Sequence, residues 1–441
     1  MLIRFVITNF LSFNEETEFN MIAGSLKSHK HHVHRIGKID VLRTSVLYGA
    51  NGAGKSNLIK AISFLKDIVV NSGINQSVND KKFKLNKENS NKPISLEIEF
   101  SVGDKIYSFG ISLNNSDILE EWLYESGLTG DDKLIYKRTL TEENKIAIEM
   151  AGKYSKTQKE KLLLEIVKDN LLKNDKLLLG LADLLKLEEI SSVRNWLLFN
   201  LTIIFPEKSF HGILPLLLST KDLREFYDQF MHYFDTGINK LISVQMDLEK
   251  YMVDSDLKMT RQQIQDHVEK FQMLLNDEKS EVILKGNDGK MIVKKAISYH
   301  KNSQNEDVVF MISEESDGTK RLIDLTPAFF NILIHDQTYV VDEIDRSLHP
   351  SMLCAIIRKA LKAEQTIGQL IFTSHESNLL NLDIFRQDEI WFVEKEDKGG
   401  DTKLYSLNEF KPRHDLDIRK GYLTGRFGAI PFLADIHDLN W

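Results

Sequence analysis

The chain has 441 residues, of which 42% are hydrophobic and 28% charged, a composition typical of globular proteins with one or two sizeable cores. Its formal net charge of −8 indicates no general affinity for nucleic acid, although a local basic groove is compatible with that total. The single cysteine, Cys354, excludes an intrachain disulfide bond and a metal site built from several cysteines. The start of the sequence alternates like a strand and has no signal-peptide pattern. No apolar run reaches the roughly 18–20 residues of a membrane span, so we expect a soluble, cytoplasmic protein without membrane contact.

The spacing of apolar residues changes twice along the chain. Up to about residue 125 it predicts short strands, among them Leu2–Thr8 and Thr44–Tyr48, and one helix at Ser56–Val69. From about residue 153 the spacing becomes helical, and strand patterns return at Glu281–Lys285. The predicted organisation is an N-terminal α/β lobe at 1–150, a helical insertion at 151–280 and a C-terminal α/β lobe at 281–441.

A glycine-rich loop follows the predicted strand Thr44–Tyr48. Residues Gly49–Ser56 match the phosphate-binding Walker A motif in full, with a strand before it and a helix after it. Small residues let backbone N–H groups point inward at phosphate oxygens, and the helix presents its N-terminus to the same anion. Lys55 is predicted to contact the β and γ phosphates, and the Ser56 hydroxyl to ligate Mg²⁺. The predicted nucleotide contacts of this stretch are Asn51, Gly52, Ala53, Gly54, Lys55, Ser56 and Asn57.

Two later strands end in residues suited to ATP hydrolysis. Thr338–Val341 is a buried-strand pattern followed by Asp342 and Glu343, and an acidic pair there holds Mg²⁺ and polarises the attacking water in P-loop enzymes. The strand Gln369–Thr373 leads to His375, which is placed to contact the γ phosphate and sense its loss. The predicted catalytic residues are Lys55, Glu343 and His375, and the predicted metal ligands are Ser56 and Asp342.

A second anion-binding helix N-terminus is predicted about twenty residues before the strand Thr338–Val341. Ser316 and Gly318 open an apolar-periodic helix, and Lys320 follows in its first turn. Ser-Asp-Gly is a common sequence in turns and alone is a weak signal. The prediction therefore rests on its position ahead of the acidic pair. We expect Ser316, Gly318 and Lys320 to contact nucleotide.

Together these motifs resemble those of ABC-type ATPases, in the branch that includes the SMC and recombination-repair ATPases. Ser316–Lys320 resembles a degenerate ABC signature, Ser347–Pro350 a D-loop, and Ser374-His375 the switch histidine. The resemblance implies an α/β fold, an ABC-type ATPase head whose mixed sheet surrounds the P-loop core and which a helical insertion splits. It also implies ATP and Mg²⁺ as cofactors. It further implies a head-to-tail homodimer or larger homo-oligomer, in which the signature of one subunit completes the site of the other.

Within that branch the sequence is similar to anti-phage, abortive-infection ATPases, which include the OLD nucleases, the RloA-like proteins and the ATPase of the PARIS system. The similarity covers about 1–125 and 281–441, and it includes Ile7–Phe13 and the ending Gly421–Pro431. OLD nucleases continue into a Toprim nuclease domain, whereas this sequence ends soon after His375. The resemblance therefore implies a slow ATPase that senses infection and controls a separate toxic effector, a nuclease or a toxin.

A histidine-rich, basic segment precedes the strand Thr44–Tyr48. Its histidines are His29, His31, His32 and His34. Four histidines are compatible with zinc, but they have no acidic or cysteine partner in the segment, which favours a solvated basic loop. In related heads this region lies near the nucleotide base, so Asn9, Ser12 and the basic loop are predicted to frame adenine and ribose.

Two other functions stay open. Long coiled-coil arms and a zinc hook would favour an SMC-like DNA-repair or DNA-clamp ATPase, and an acidic cluster outside Asp342 and Glu343 would favour an ATP-gated nuclease. A GTPase is disfavoured because the sequence has no Asn-Lys-x-Asp guanine-recognition motif. The lysines between Lys153 and Lys161 are predicted to form a solvated helix face rather than a DNA site, and nucleic acid stays open as a partner.

Overall fold

A computed structural model describes residues 1–127, 131–154, 156–185, 187–207, 210–254, 259–362, 366–397, 399–413 and 416–430. The chain divides into two compact units. The first consists of Met1–Ile204, Ile332–Ile344 and Ile357–Trp441, and the second of Phe205–Asn331 and Asp345–Ile356. These limits do not coincide with the predicted divisions at residues 150 and 280.

The strands, in chain order, are β1 (Leu2–Thr8), β2 (Thr17–Asn20), β3 (Val33–Ile36), β4 (Ile39–Leu42), β5 (Thr44–Tyr48), β6 (Ile94–Val102), β7 (Lys105–Asn114), β8 (Asp117–Glu125), β9 (Lys133–Leu140), β10 (Ile146–Met150), β11 (Leu201–Ile204), β12 (Ile238–Asp247), β13 (Met273–Asn276), β14 (Glu281–Lys285), β15 (Met291–Lys301), β16 (Asp307–Met311), β17 (Thr338–Val341), β18 (Gln369–Thr373), β19 (Ile390–Lys395) and β20 (Thr402–Ser406). The α-helices are α1 (Lys55–Val70), α2 (Gln158–Ile166), α3 (Ala182–Leu185), α4 (Glu188–Asn195), α5 (Leu214–Leu217), α6 (Lys221–Tyr233), α7 (Leu248–Asp254), α8 (Arg261–Phe271), α9 (Asp317–Ile334), α10 (Pro350–Lys362) and α11 (Ile418–Leu423). Among the residues described, no helix combines the length and apolar character needed to cross a membrane.

The central sheet of the first unit is mixed. Its order is β11-β17-β18-β5-β19-β20, and all neighbours are parallel except β19 and β20. Every residue of β5, β17 and β18 is buried, as expected for continuous apolar strands in a parallel sheet covered on both faces. The predicted α/β class, with a mixed sheet around a P-loop core, is confirmed.

A second, antiparallel sheet of the first unit has the order β10-β9-β8-β7-β6-β1-β2. Burial alternates along β6, because one face of this sheet packs inward. The fully buried Glu121 on β8 accepts hydrogen bonds from Tyr136 Oη at 2.7 Å and from the backbone N–H groups of Leu178 and Leu179 at 2.7 and 2.8 Å. This carboxylate therefore ties the sheet to a segment more than fifty residues away in sequence.

The second unit contains an antiparallel sheet in the order β12-β15-β14-β13, with β16 pairing the far end of β15. Helices α7 and α8 pack against this sheet through apolar side chains. That core consists of Leu248, Tyr251, Ile264, Val268, Ile283 and Val293.

The segment predicted to be a helical insertion, 151–280, contains strands as well as helices. It holds α2–α8, but also β11, β12 and β13. Strand β11 pairs in parallel with β17, and β12 pairs with β15, so both strands depend on partners distant in sequence. Such pairing overrides the local helical pattern, which is why apolar spacing alone did not predict these strands.

Candidate nucleotide-binding site

The phosphate-binding loop connects the buried strand β5 to helix α1. Gly54 caps the helix with φ of 114°, and a Cβ atom there would lie 2.2 Å from Thr402 Oγ1. Only glycine satisfies both the positive φ and the close approach. The strand–loop–helix arrangement predicted for this motif is therefore present.

Lys55 lies inside the curl of this loop. Its side chain is buried, and Nζ donates hydrogen bonds to Gly49 O at 2.7 Å and Ala50 O at 3.1 Å. The half-buried Ser56 follows in the first turn of α1. A helix N-terminus and an ammonium group thus converge on one concave loop, an arrangement suited to a phosphate chain.

A chain of hydrogen bonds supports the loop and includes a residue that sequence analysis did not identify, Thr402. Asn57 Nδ2 donates to Ser12 Oγ at 2.8 Å. Thr402 Oγ1 lies 2.7 Å from Ser12 Oγ and 2.8 Å from Ala53 O. Because a carbonyl oxygen only accepts, the Thr402 hydroxyl donates to Ala53, and Ser12 in turn donates to Thr402. Ser12 thus supports the loop, a role that differs from the predicted contact with adenine or ribose.

Asn9 also has a structural role that differs from the predicted one. Its side chain is 1% exposed, and Nδ2 donates to Asn89 O and Lys92 O, both at 3.0 Å. Its Oδ1 accepts from Phe83 N at 3.2 Å. Since the carboxamide is enclosed by backbone groups of the segment 83–93, it holds the turn after β1 in place and is not positioned to contact a nucleotide.

The predicted metal ligand Asp342 and the predicted catalytic Glu343 follow the C-terminal end of β17, next to Thr373 at the end of β18. Thr373 Oγ1 donates to Asp342 Oδ1 at 2.6 Å and accepts from Glu343 N at 2.7 Å. Glu343 has φ of 47°, a left-handed conformation uncommon for residues other than glycine and often found at functional sites. Thr373 was missed by sequence analysis, because its role depends on the lateral pairing of β17 and β18.

The central sheet brings the predicted catalytic residues to one edge. Strands β5, β18 and β17 are successive parallel neighbours, so Lys55, His375 and the carboxylates all follow the same ends of adjacent strands. The outer two of these strands are two spacings apart, roughly 10 Å. His375 is exposed and Asp342 is buried. Ligands of open α/β sheets bind at this carboxyl edge.

The residues at this edge fit ATP and Mg²⁺. A serine hydroxyl and a buried carboxylate, Ser56 and Asp342, are the hard oxygen ligands that Mg²⁺ prefers. Lys55 at a helix N-terminus is the cationic group expected beside a triphosphate.

The predicted signature residues lie in the second unit. The exposed Ser316 accepts a hydrogen bond from Thr319 N at 3.2 Å and so caps the N-terminus of α9. A Cβ atom on Gly318 would lie 2.9 Å from Ser347 O, so glycine permits the close packing of the signature segment on the predicted D-loop. The side chain of Lys320 pairs with a residue in the same helical turn, with Nζ 3.8 Å from Asp317 Oδ1. The role of Ser316, Gly318 and Lys320 in nucleotide binding stays a prediction.

Glu315, directly before the signature, is held by two side chains of β15. Ser298 Oγ donates to Glu315 Oε1, and His300 Nε2 lies 2.8 Å from the same oxygen. The carboxylate is 5% exposed. These bonds fix the backbone position from which Ser316 projects.

A cavity of about 560 Å³ opens beside the phosphate-binding loop. It is bordered by Ala50–Ala53, by residues at the end of β19 and by Gly425–Ile430. Glu394 Oε1 on β19 accepts from Ala429 N at 3.1 Å and so holds the C-terminal segment in place. Part of the predicted family motif at 421–431 therefore lies next to the loop, although its last residue, Pro431, is outside the described residues.

The histidine-rich segment is partly buried, unlike the solvated loop that was expected. His32 is 2% exposed, and its Nδ1 lies 2.9 and 3.0 Å from the two carboxylate oxygens of Glu389. Burial, followed by the charges of Arg386 and Arg43, lowers the pKa of His32 to about 4. Ser45 Oγ donates to Glu389 O at 3.2 Å, which places the segment at the N-terminal end of β5. The P-loop follows the opposite end of that strand, so this segment does not frame the nucleotide base as predicted.

No curated protein matches the chain. A head of an SMC protein bound to the C-winged helix domain of ScpA has 13% identity and a TM-score of 0.44, covering 93% of this chain and 99% of that one. The SMC head domain from Thermotoga maritima has 11% identity and a TM-score of 0.39, covering 92% and 98%. An Smc head with an extended coiled coil, bound to the C-terminal domain of ScpA from Pyrococcus furiosus, has 14% identity and a TM-score of 0.40, covering 93% and 99%.

A family model matches residues 45–381, which is more than half of the chain. Its description is an AAA domain, putative AbiEii toxin, of a type IV TA system. The match begins in β5 and includes the phosphate-binding loop, the acidic pair after β17 and His375. A P-loop between a buried parallel strand and a helix, with carboxylates on a neighbouring strand, is the ATPase core expected of such a domain. The chain therefore belongs to this AAA domain family of P-loop ATPases.

Proposed function

We propose that the chain is a Mg²⁺-dependent ATPase whose nucleotide state controls a separate effector in an antiviral defence system. The observation that carries the ATPase assignment is the edge formed by β5, β18 and β17, where Lys55 and the carboxylates follow neighbouring strands. Thr373 joins both carboxylate residues to the strand that precedes His375.

The roles of the residues follow from their positions and chemistry. The loop backbone and Lys55 bind the phosphates, while Ser56 and Asp342 hold the metal. When bound, Mg²⁺ neutralises charge that develops on the phosphate oxygens. Glu343 polarises the attacking water, and the bond from its N–H to Thr373 fixes the backbone from which its side chain projects. His375, two residues beyond Thr373, is the sensor of the terminal phosphate.

Assembly of two heads supplies the second half of the site in this proposal. Ser316 is exposed at the N-terminus of α9, a position that suits it to meet a phosphate of a partner subunit. ATP bound between the subunits would favour the paired state, because a ligand shifts an equilibrium by its differential affinity for the two states. Hydrolysis would then release the pair, and the change in assembly would act on the effector.

Action within a system of more than one component is supported by the description of the matching family, which names a putative AbiEii toxin and a type IV TA system. Such a system has two components, so an ATPase of this family is expected to act together with a second protein. The antiviral role is supported by the similarity of the sequence motifs to those of anti-phage ATPases.

The experiment is a phage challenge of cells that carry the chain with and without its neighbouring gene. We expect protection only with both genes, and loss of protection with Lys55→Ala or Glu343→Gln. The purified chain is also incubated with DNA, RNA and tRNA in the presence of Mg²⁺, Mn²⁺ and ATP. Robust cleavage that survives Lys55→Ala would place the effector in this chain and overturn the proposal.

A second candidate is that this chain is itself the toxic component, since the family description names a toxin. Expression of the chain alone distinguishes the two. Growth arrest that requires Lys55 and is relieved by the neighbouring gene would favour the toxin, whereas unimpaired growth would favour the controlling ATPase.

A further inference from the structure

Three histidines that the nucleotide site does not use converge near the N-terminal end of β5. A ligand nitrogen from each of His29, His31 and His32 lies within 4.8 Å of the other two. We propose that these three imidazoles bind a transition-metal ion of the Zn²⁺ class. The proposal does not depend on the proposed function, because this site is separate from Ser56 and Asp342.

The three rings lie close enough together for one nitrogen of each to face a single ion. With metal–nitrogen distances of about 2.0–2.1 Å and tetrahedral angles, ligand nitrogens lie about 3.3 Å apart. The ring centroids here are separated by 4.4 Å for His31 and His32, 4.9 Å for His29 and His32, and 6.0 Å for His29 and His31. His31 is exposed, so the adjustment that a bound ion requires would take place at the surface and not in the core.

Two of the three imidazoles are already oriented by bonds from their other nitrogen. His32 Nδ1 faces the carboxylate of Glu389 at 2.9 Å, and His29 Nε2 faces Leu382 O at 2.7 Å. A carbonyl only accepts, so His29 donates from Nε2 and its Nδ1 becomes the ligand atom. With Nδ1 of His32 donating to Glu389, its Nε2 becomes the ligand. Carboxylate and carbonyl partners of this kind orient metal-binding histidines in proteins.

The buried groups around the cluster carry charges of both signs. The nearby guanidinium of Arg386 is paired with Asp388, with Nη2 and Oδ2 2.8 Å apart, and both side chains are buried. Glu389 is fully buried, and its Oε1 lies 2.9 Å from His32 Nδ1. Asp388 therefore offsets Arg386, whereas Arg43 adds positive charge near His32 and burial raises the pKa of Glu389 well above its ordinary value.

The ligand set selects the class of metal. Imidazole suits Zn²⁺, Cu²⁺, Ni²⁺ and Co²⁺, whereas Mg²⁺ and Ca²⁺ prefer oxygen ligands. With His31 exposed and His29 half-buried, a water molecule has access to a fourth position. A bound ion would link the segment 29–32 to Glu389, directly before β19, and so brace the end of the central sheet remote from the P-loop.

The test uses the full chain without a polyhistidine tag, stripped with a chelator and dialysed into excess Mg²⁺. Zn²⁺ is titrated against a competing chromophoric chelator, and Co²⁺ is followed by its visible absorption. We expect one Zn²⁺ per chain with a Kd below about 1 µM, or about 8 kcal/mol, and an intense tetrahedral-type Co²⁺ spectrum. His31→Ala should weaken binding at least about tenfold without loss of fold, because this side chain is exposed.

His34→Ala is the matched control, since His34 lies in the same segment but outside the cluster. Glu389→Gln tests the orienting partner and should weaken Zn²⁺ affinity about 10- to 100-fold. The proposal fails if wild-type protein binds no Zn²⁺ in this assay, or if His31→Ala and His34→Ala change the affinity equally. The readout is metal affinity, so failure here leaves the ATPase proposal intact.

Discussion

At the scale of single residues, the proposed mechanism gives the neighbouring residues Asp342 and Glu343 different roles. Both follow β17, yet Asp342 is buried and Glu343 only half-buried. The left-handed backbone at Glu343 turns the chain sharply between them. Adjacent carboxylates thus face different surroundings, which suits one to a metal and the other to water.

Glu343→Gln is expected to keep ATP binding and to lower the hydrolysis rate about 100-fold or more, because the amide cannot accept a proton from water. Binding is measured with a fluorescent ATP analogue and hydrolysis by phosphate release. Lys55→Ala is the companion variant and should lose binding, since it removes the cation beside the phosphates. Equal turnover by Glu343→Gln and wild type would exclude Glu343 as the base.

Thr373→Val is expected to lower the hydrolysis rate about 10- to 100-fold while ATP binding is largely kept. The substitution preserves shape but removes the hydroxyl that bonds to Asp342 and to the Glu343 amide. Thr373→Ser, which keeps the hydroxyl, should retain most of the activity. If valine and serine behave alike under single-turnover conditions, Thr373 does not position the carboxylates.

At the scale of elements, the phosphate-binding loop depends on a strand far along the chain. Thr402 on β20 reaches Ala53 and Ser12, and Ser12 is in turn bonded by Asn57 on α1. Three separate elements therefore set the curvature of one loop. Gly54 allows this close approach, since any side chain there would collide with Thr402.

Thr402→Val should destabilise the protein by about 1–3 kcal/mol, because Ala53 O loses its donor in a buried setting. The loss is measured by chemical denaturation, and weaker nucleotide binding should accompany it. Thr402→Ser is the control that keeps the hydrogen bond. Unchanged stability and affinity in the valine variant would contradict a supporting role for this chain of hydroxyls.

At the scale of the whole molecule, the proposed ATP-dependent pairing places Ser316 at an intermolecular site. Ser316→Arg should leave ATP binding by one subunit intact and block pairing, since a bulky cation would occupy the helix N-terminus. Light scattering is measured with Glu343→Gln as the background, where ATP persists. Loss of the helix cap alone costs about 1 kcal/mol, which the fold should tolerate.

Ser303→Arg is the matched control, an exposed serine of the same unit in the turn between β15 and β16. It should pair as the background variant does. Pairing and turnover unaffected by Ser316→Arg would remove the signature assignment, whereas loss in both variants would indicate a general effect of added charge.

Much of the central sheet was predictable from the sequence. The bounds of β5, β17 and β18 in that sheet, and of β1 in the antiparallel sheet, agree with those predicted, because continuous or alternating apolar runs bounded by polar residues are a local signal. The glycine-rich loop and the acidic pair were recognisable for the same reason. Their chemistry requires particular residue types at fixed spacing within a few positions of one another.

Only the tertiary structure decided which side chains support those motifs. Thr373 and Thr402 act through bonds to residues 31 and 349 positions away, and Asn9 proved to be enclosed by a segment about eighty residues later. Strand β11 formed within a predicted helical segment, because its partner β17 lies far along the chain. The buried His32 likewise contacts Glu389, which lies 357 positions later in the sequence. Composition and local spacing determined the chemistry of the P-loop, whereas long-range pairing, which no local pattern encodes, decided what holds it in place.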